Sequence, residues 1–194
     1  MNNELLTLES SLIDYFEIES SQAQVFSSQF TQRQVAKGTY LLKQGQTCKS
    51  LDFITSGVVR IFATLENGKE ITQWIGLPGS FVTELSGLMF DLPARWNIQC
   101  ITDCDLYSVS KDSYRNLTKS FNNWSEIEKA FLAKCFVTLE DRVFGFLSMT
   151  AEERFEQLMR YAPEVFQSAS QQYVASMLGM TPETFSRIRK KMVS

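Results

Sequence analysis

The sequence predicts an α+β fold in which antiparallel strands precede a long helix and a C-terminal pair of short helices. Three observations lead to this fold. Short β-type runs alternate with glycines between about residues 32 and 110. A long segment after residue 124 carries apolar residues at helical spacing. Residues 171–191 form two short apolar-striped segments on either side of Gly179. A length of 194 residues allows one or two domains.

The N-terminal segment is predicted to be helical. Residues 4–16 place one set of apolar side chains on a common face, namely Leu5, Leu8, Leu12, Ile13 and Phe16. A second short helix is expected over residues 20–30. The segment lacks the basic and apolar regions of a signal peptide, and no apolar run reaches about eighteen residues. We therefore expect a cytoplasmic protein without a membrane span.

The glycine-punctuated region predicts a small antiparallel sandwich or barrel. Asn67-Gly68 between two strand-like runs is a strong hairpin signal. Residues 79–97 interrupt the strand pattern and predict a buried helical turn. This stretch is the best candidate effector pocket, lined by Phe81, Glu84, Leu85, Arg95 and Trp96. The alternative, which is favoured for any single residue, is that the aromatic residues belong to the core and that Glu84 and Arg95 are half-exposed.

A short helix over residues 111–119 is followed by a predicted long helix, with Ser125 and Glu128 as its capping box. One apolar stripe has coiled-coil spacing and is the candidate dimer face: Leu132, Phe136, Leu139, Val143 and Phe146. A second stripe consists of Trp124, Ile127, Phe131 and Cys135. The two stripes suggest packing against the strands on one side and a second subunit on the other. Burial within one monomer is equally compatible with the spacing. Residues 145–150 are predicted to form a hinge.

The C-terminal segment has the sequence form of a helix-turn-helix. Thr150 and Glu153 form a capping box for a helix that ends at Ala162-Pro163. In the stretch after Ser170, Gly179 suits the left-handed turn between two helices, and Thr181 is a suitable N-cap residue for the second helix. The second helix would pack its apolar residues inward, as DNA-binding helix-turn-helix units do.

Charge distinguishes this segment from an ordinary helical hairpin. Cations are concentrated at its end, at Arg187, Arg189, Lys190 and Lys191, although the whole chain has a formal net charge of −3. A basic patch on an acidic protein suggests phosphate binding. The alternative is a structural hairpin whose cations only complement the helix dipole.

Residue usage argues against an enzyme. The chain has no histidine, which excludes Ser-His and Cys-His catalysis and imidazole metal ligands. No CxxC pair occurs among the four cysteines, which are Cys48, Cys100, Cys104 and Cys135. They indicate buried free thiols in a reducing compartment. Support for a redox or iron–sulfur role is weak. No metal site is expected.

The order of these segments resembles the Crp/Fnr family of bacterial transcription regulators along nearly the whole chain. The most specific part is YVASMLGMTPETFSRIRKKM, which is similar to the DNA-binding signature of one group in that family. AEERFEQLMRYAPEVF, GQTCKSLDFITSGVVRIF and LPGSFVTELSGL are similar to other parts. The resemblance implies a β-roll sensor domain like those that bind cyclic nucleotides over residues 1–120, a connecting and dimerisation helix over 121–146, and a helix-turn-helix domain over 147–194.

The resemblance also implies partners and site residues. The partners would be double-stranded DNA and a second copy of the chain, with RNA polymerase and an unknown small-molecule effector as further candidates. By position, base and phosphate contacts fall on Thr181, Glu183, Thr184 and Arg187, and Arg189, Lys190 and Lys191 would add backbone charge. The given sequence ends three residues after Lys191, so a full β-wing is not expected.

The nucleotide cassette departs from the family pattern. Thr83 precedes Glu84 where cyclic-nucleotide binders have glycine, and Trp96-Asn97 follows Arg95 where they have a small hydroxyl residue and alanine. No cofactor is firmly indicated, and a cyclic nucleotide is disfavoured. The remaining alternative is a cyclic-nucleotide or small-ligand module with a vestigial helix-turn-helix.

Overall fold

A computed structural model describes the backbone of residues 3–193 and the side chains of residues 7–192. The predicted helix at the N-terminus is present, but the side chain of Leu5 lies outside the described residues. The elements in chain order are α1 (Asn3–Phe16), α2 (Ser20–Ser27), β1 (Thr31–Val35), β2 (Tyr40–Leu42), β3 (Ser50–Ser56), β4 (Val59–Thr64), β5 (Glu70–Gly76), β6 (Phe81–Val82), α3 (Leu85–Phe90), β7 (Asn97–Cys100), β8 (Cys104–Ser110), α4 (Lys111–Ser120), α5 (Trp124–Ser148), α6 (Ala151–Tyr161), α7 (Val165–Ser168), α8 (Gln171–Met177) and α9 (Pro182–Val193).

The strands form a β-roll of two antiparallel sheets, with strand orders β1-β8-β3-β6 and β2-β7-β4-β5. The predicted hairpin at Asn67-Gly68 joins β4 to β5. Gly68 has φ +80°, and its N–H donates to the Leu65 carbonyl at 2.9 Å. Strand β5 lies at the edge of the second sheet, so one side of its backbone needs partners from outside that sheet.

Aromatic side chains join the N-terminal helices and α5 to the roll. Phe16 of α1 stacks on Phe131 of α5 with ring centroids 4.4 Å apart, and Trp124 lies edge-on to Phe26 at 5.4 Å. The predicted second stripe of α5 therefore faces the core: Trp124, Ile127 and Phe131 are buried, and Cys135 packs against them. The four cysteines are free thiols, as expected, and three of them are buried.

Two predictions about α5 were wrong. The helix begins at Trp124 with Asn123 as its N-cap residue, so Ser125 lies in the first turn and does not cap it. Asn123 takes this position because its carbonyl accepts the N–H groups of Glu126 and Ile127. The expected hinge over residues 145–150 is also shorter, because α5 continues through the buried Gly145 to Ser148. The capping box of Thr150 and Glu153 at the start of α6 is confirmed.

A second apolar cluster holds the C-terminal helices together and extends into the roll. Phe155 of α6, Val174 of α8 and Phe185 of α9 pack with Val58 and Ile75 from the roll. The C-terminal helices therefore share part of their core with the turn before β4 and with strand β5. Within the described part of the chain, no helix is long and apolar enough to cross a membrane.

Candidate nucleic-acid interface

The two C-terminal helices α8 and α9 meet at the predicted glycine turn. Gly179 has φ +68°, a conformation that disfavours residues with a Cβ atom. A Cβ there would also lie 2.7 Å from Cε1 of Phe146, so α5 packs directly against the turn. Thr181 Oγ1 accepts the backbone N–H of Thr184 at 3.2 Å, which confirms Thr181 as the N-cap of α9.

Helix α9 has a buried face and an outward face. Phe185 and Ile188 are buried to 1% and 2% exposure and anchor the helix in the second apolar cluster. The predicted contact residues divide by exposure: Thr181, Glu183, Arg187, Lys190 and Lys191 are exposed, whereas Thr184 and Arg189 are half-buried. The side chains that could meet a groove therefore lie opposite the anchoring residues.

Charge on the outward face is fixed by local contacts. Hydrogen bonds from its own backbone N–H and from the Thr181 hydroxyl hold the pKa of Glu183 below its usual value, so Glu183 is an acceptor at neutral pH. Lys191 Nζ lies 2.8 Å from Glu152 Oε2 on α6. Of the four predicted cations, Lys191 is thus partly neutralised by a neighbouring carboxylate.

A cleft separates the start of α9 from the roll. The cleft has a volume of about 1040 Å³ and is lined on one side by residues 68–71 of the β4–β5 hairpin and on the other by residues 179–184. The sequence did not indicate this cleft, because its two walls come from segments that are distant in the chain and that form a cleft only when they dock. No periodicity or motif in the sequence predicts that the hairpin and the start of α9 lie next to each other.

The candidate dimer face lies on the C-terminal half of α5. Phe136 is 61% exposed, Val143 is 56% exposed, and Leu139 and Phe146 are 44% and 40% exposed. Leu132 differs, because it is half-buried and packs against the main core of the monomer. Val137, Phe144 and Leu147 add further exposed apolar surface to the same half of the helix.

The candidate effector residues do not form an open polar pocket. Glu84 is 2% exposed, so the expectation that it is half-exposed was wrong. Its carboxylate caps α3 by accepting the Gly87 N–H at 2.6 Å and the Ser86 hydroxyl at 2.7 Å. Arg95 lies outside with a side chain that is 71% exposed and an Nε atom 3.6 Å from Glu84 Oε1.

The apolar members of this set are partly buried and pack against the core. Phe81 packs on Phe53 with ring centroids 4.9 Å apart, and Leu85 and Trp96 lie against the same cluster. A cyclic phosphate at the start of α3 would have to displace the Glu84 carboxylate and would meet its negative charge. The residues present therefore do not fit that ligand in this conformation. Among the side chains described, no cluster suited to a metal ion occurs.

The chain has a Crp/Fnr-like fold, as comparisons with known proteins show. Residues 32–121 match the family model of the cyclic nucleotide-binding domain. Similar solved structures include FixK2 from Bradyrhizobium japonicum, with 20% identity, a TM-score of 0.71 and coverage of 84% of each chain. The c-di-GMP-responsive global regulator CLP of Xanthomonas campestris is 18% identical, with a TM-score of 0.67 and coverage of 90% of this chain and 91% of its own.

The catabolite activator protein of Thermus thermophilus is also similar, at 20% identity and a TM-score of 0.59, with coverage of 94% of this chain and 86% of its own. No curated protein sequence matches the chain. At these identities the structural likeness concerns the fold.

Proposed function

We propose that this protein is a sequence-specific DNA-binding transcription regulator that acts as a homodimer. The observation that carries the proposal is helix α9, whose inner face is anchored by Phe185 and Ile188 and whose outer face carries Arg187 and Lys190. An anchored helix with exposed cations and hydrogen-bonding groups has the form that enters a major groove. The family resemblance and the Crp/Fnr-like fold support the same function.

The exposed apolar half of α5 supports a dimer. Large apolar surfaces of this kind are uncommon on monomers and mark interaction sites. A two-fold pairing of two α5 helices would bury Phe136, Leu139 and Val143 and would carry two copies of α9. In a helix-turn-helix dimer, such helices read half-sites about 34 Å apart.

Within the proposed interface, side chains divide by chemistry. Arg187 can pair bidentately with guanine, and the ionised Glu183 can accept from cytosine N4. The hydroxyls of Thr181 and Thr184, together with Arg189, Lys190 and Lys191, would position the phosphate backbone. Lys191 would have to leave Glu152 to take part in this.

Alanine substitutions separate base reading from phosphate binding. Arg187→Ala should cost about 1–3 kcal/mol at a cognate site and relax the base preference at one position. Lys190→Ala should weaken all sequences alike and lower the salt dependence of binding by about one phosphate contact. Lys119→Ala removes an exposed cation from α4 and serves as the control. Binding that is unchanged by both α9 substitutions would overturn the proposal.

A second candidate function is a cyclic-nucleotide or small-ligand module, which is favoured by the match of residues 32–121 to the cyclic nucleotide-binding domain. Calorimetry with cyclic AMP and cyclic GMP tests it directly. Because the Glu84 carboxylate already caps α3, we expect neither nucleotide to bind the protein with micromolar affinity. Micromolar binding combined with no DNA retention at low salt would favour the second function over the first.

A further inference from the structure

Two of the four cysteines lie side by side across the turn between β7 and β8. Cys100 is the last residue of β7 and Cys104 is the first residue of β8, so three residues separate them. Because β7 and β8 belong to different sheets, the turn crosses from one sheet to the other. Both side chains lie in the main core, with exposures of 0% and 3%, and the two thiols hydrogen-bond to each other. The two side chains therefore converge, as the geometry of a disulfide requires.

Close contacts fix the sulfur of Cys104 in this position. Its Sγ lies 3.4 Å from the Thr102 carbonyl oxygen and 3.6 Å from the Val58 carbonyl oxygen. A Cβ at Gly57 would lie 2.6 Å from the same sulfur, so the turn before β4 packs directly on it. In the β7–β8 turn, Asp103 is exposed and Thr102 is half-buried. The pair of thiols therefore lies just beneath a surface turn, and a reagent that reaches it must be small.

The two thiols differ in acidity. The hydrogen bond from the Cys100 thiol lowers the pKa of Cys104 to about 7, although burial opposes this change. The same hydrogen bond, together with burial, raises the pKa of Cys100 above its usual value. The thiolate, and not the thiol, is the nucleophile in cysteine chemistry. Cys104 is therefore the residue that reacts first, and Cys100 keeps its proton beside it.

Cys48 and Cys135 lie in different surroundings. Cys48 Sγ lies 3.3 Å from Thr83 Oγ1 and 3.5 Å from the Ser50 carbonyl oxygen. Burial raises the pKa of Cys135 on α5, which disfavours its thiolate. Because all four thiols belong to one chain, Cys48 and Cys135 serve as internal controls for the reactivity of the pair.

We propose that Cys100 and Cys104 form a peroxide-reactive site that closes into a reversible disulfide, independently of the proposed DNA-binding function. The Cys104 thiolate attacks one oxygen of hydrogen peroxide, the O–O bond breaks, and the other oxygen leaves as hydroxide, which takes up a proton to become water. The sulfur of Cys100 then attacks the sulfenic acid on Cys104. The S–S bond forms, the S–O bond breaks, and hydroxide leaves with the Cys100 proton as a second water. The two sulfurs lose two electrons, which the peroxide gains, and a thiol reductant reverses the disulfide by exchange.

Peptide mass spectrometry tests the site on the full chain. Trypsin releases residues 96–111 as one peptide with both cysteines of the pair, and it places Cys48 and Cys135 in two other peptides. The freshly reduced protein is treated with hydrogen peroxide at neutral pH and then unfolded, and the remaining thiols are labelled with N-ethylmaleimide before digestion. The peptide 96–111 should become lighter by two hydrogens, carry no label, and take up two labels after treatment with dithiothreitol. The peptides that contain Cys48 and Cys135 should keep their label.

Folding should accelerate the reaction, because the lowered pKa of Cys104 raises its thiolate fraction at neutral pH from roughly a few per cent to about half. The disulfide should therefore form several-fold faster in the folded protein than in urea. Cys100→Ser should stop the reaction at the Cys104 sulfenic acid, which dimedone traps, and Cys135→Ser is the matched control that should leave disulfide formation unchanged.

Two results would overturn the site. In one, the pair reacts no faster in the folded protein than in urea. In the other, peroxide oxidises Cys48 or Cys135 while both cysteines of the peptide 96–111 still take up the label. If Cys100→Ser does not fold, the comparison of folded and unfolded wild-type protein decides alone.

Discussion

Replacing Phe136 by glutamate tests the proposed dimer at the centre of its apolar face. Phe136 is 61% exposed in the monomer and lies on the half of α5 that carries Leu139 and Val143. Complete burial of a phenylalanine contributes up to about 3 kcal/mol. Scaled by the 61% that is exposed, the loss is roughly 2 kcal/mol per subunit. Two-fold symmetry applies it twice, so the dimer loses roughly 4 kcal/mol before any cost of burying the carboxylate.

A loss of this size changes the oligomeric state at ordinary concentrations. Since 1.4 kcal/mol corresponds to a factor of ten, the dimer dissociation constant should rise by roughly a thousandfold. Sedimentation velocity over a concentration series measures this rise. Phe90→Glu is the matched control, because Phe90 is 72% exposed but lies on α3. Equal weakening by both variants, or an unchanged dimer with Phe136→Glu, would refute the assignment of the interface to α5.

Two further substitutions test the turn and the buried charge. Gly179→Ala should destabilise the C-terminal helices by about 1–3 kcal/mol, because a residue with a Cβ is strained at φ +68° and the new Cβ would meet Phe146. Gly145→Ala is the control, since the nearest atom to its new Cβ would lie 3.6 Å away. Thermal unfolding should give a lower Tm for Gly179→Ala than for Gly145→Ala. Asp52→Asn should stabilise the protein at pH 7. Burial raises the pKa of Asp52 in the folded protein above its value in the unfolded chain, so the stability of the wild type falls as the pH rises from the unfolded pKa through the folded one. Urea unfolding should therefore show that the stability difference between Asp52→Asn and the wild type disappears below about pH 4, where Asp52 is protonated in both states. A stability difference between the two proteins that does not change with pH would contradict the raised pKa of Asp52.

The fold was largely predictable because its signals are local. The Asn67-Gly68 hairpin, the glycine turn at Gly179 and the cap of Thr150 each depend on a few neighbouring residues, and the structure contains all three. The start of α5 was placed wrongly because Ser125 and Glu128 have the capping pattern, while burial of Trp124 fixes the true start. A capping pattern alone does not show which of two adjacent residues is buried in the core.

The site was less predictable because its features depend on contacts distant in the chain. Glu84 looked like a half-exposed ligand residue, but its carboxylate is enclosed as the cap of α3. The sequence did not predict the burial of Arg60, since a lone arginine in a strand is usually a solvent-facing residue. The guanidinium is buried between Phe62 of its own strand and Tyr173, which lies more than a hundred positions later in the chain.

Selection of bound sequences from a random pool of double-stranded DNA tests most directly whether the protein is a dimeric, sequence-specific DNA-binding regulator. A homodimeric DNA-binding regulator should enrich a palindromic site whose two halves are centred about one helical turn, or 10–10.5 base pairs, apart. Arg187→Ala should remove one base preference from each half. Recovery of no enriched sequence at low salt, or of a single half-site that Arg187→Ala leaves unchanged, would contradict it.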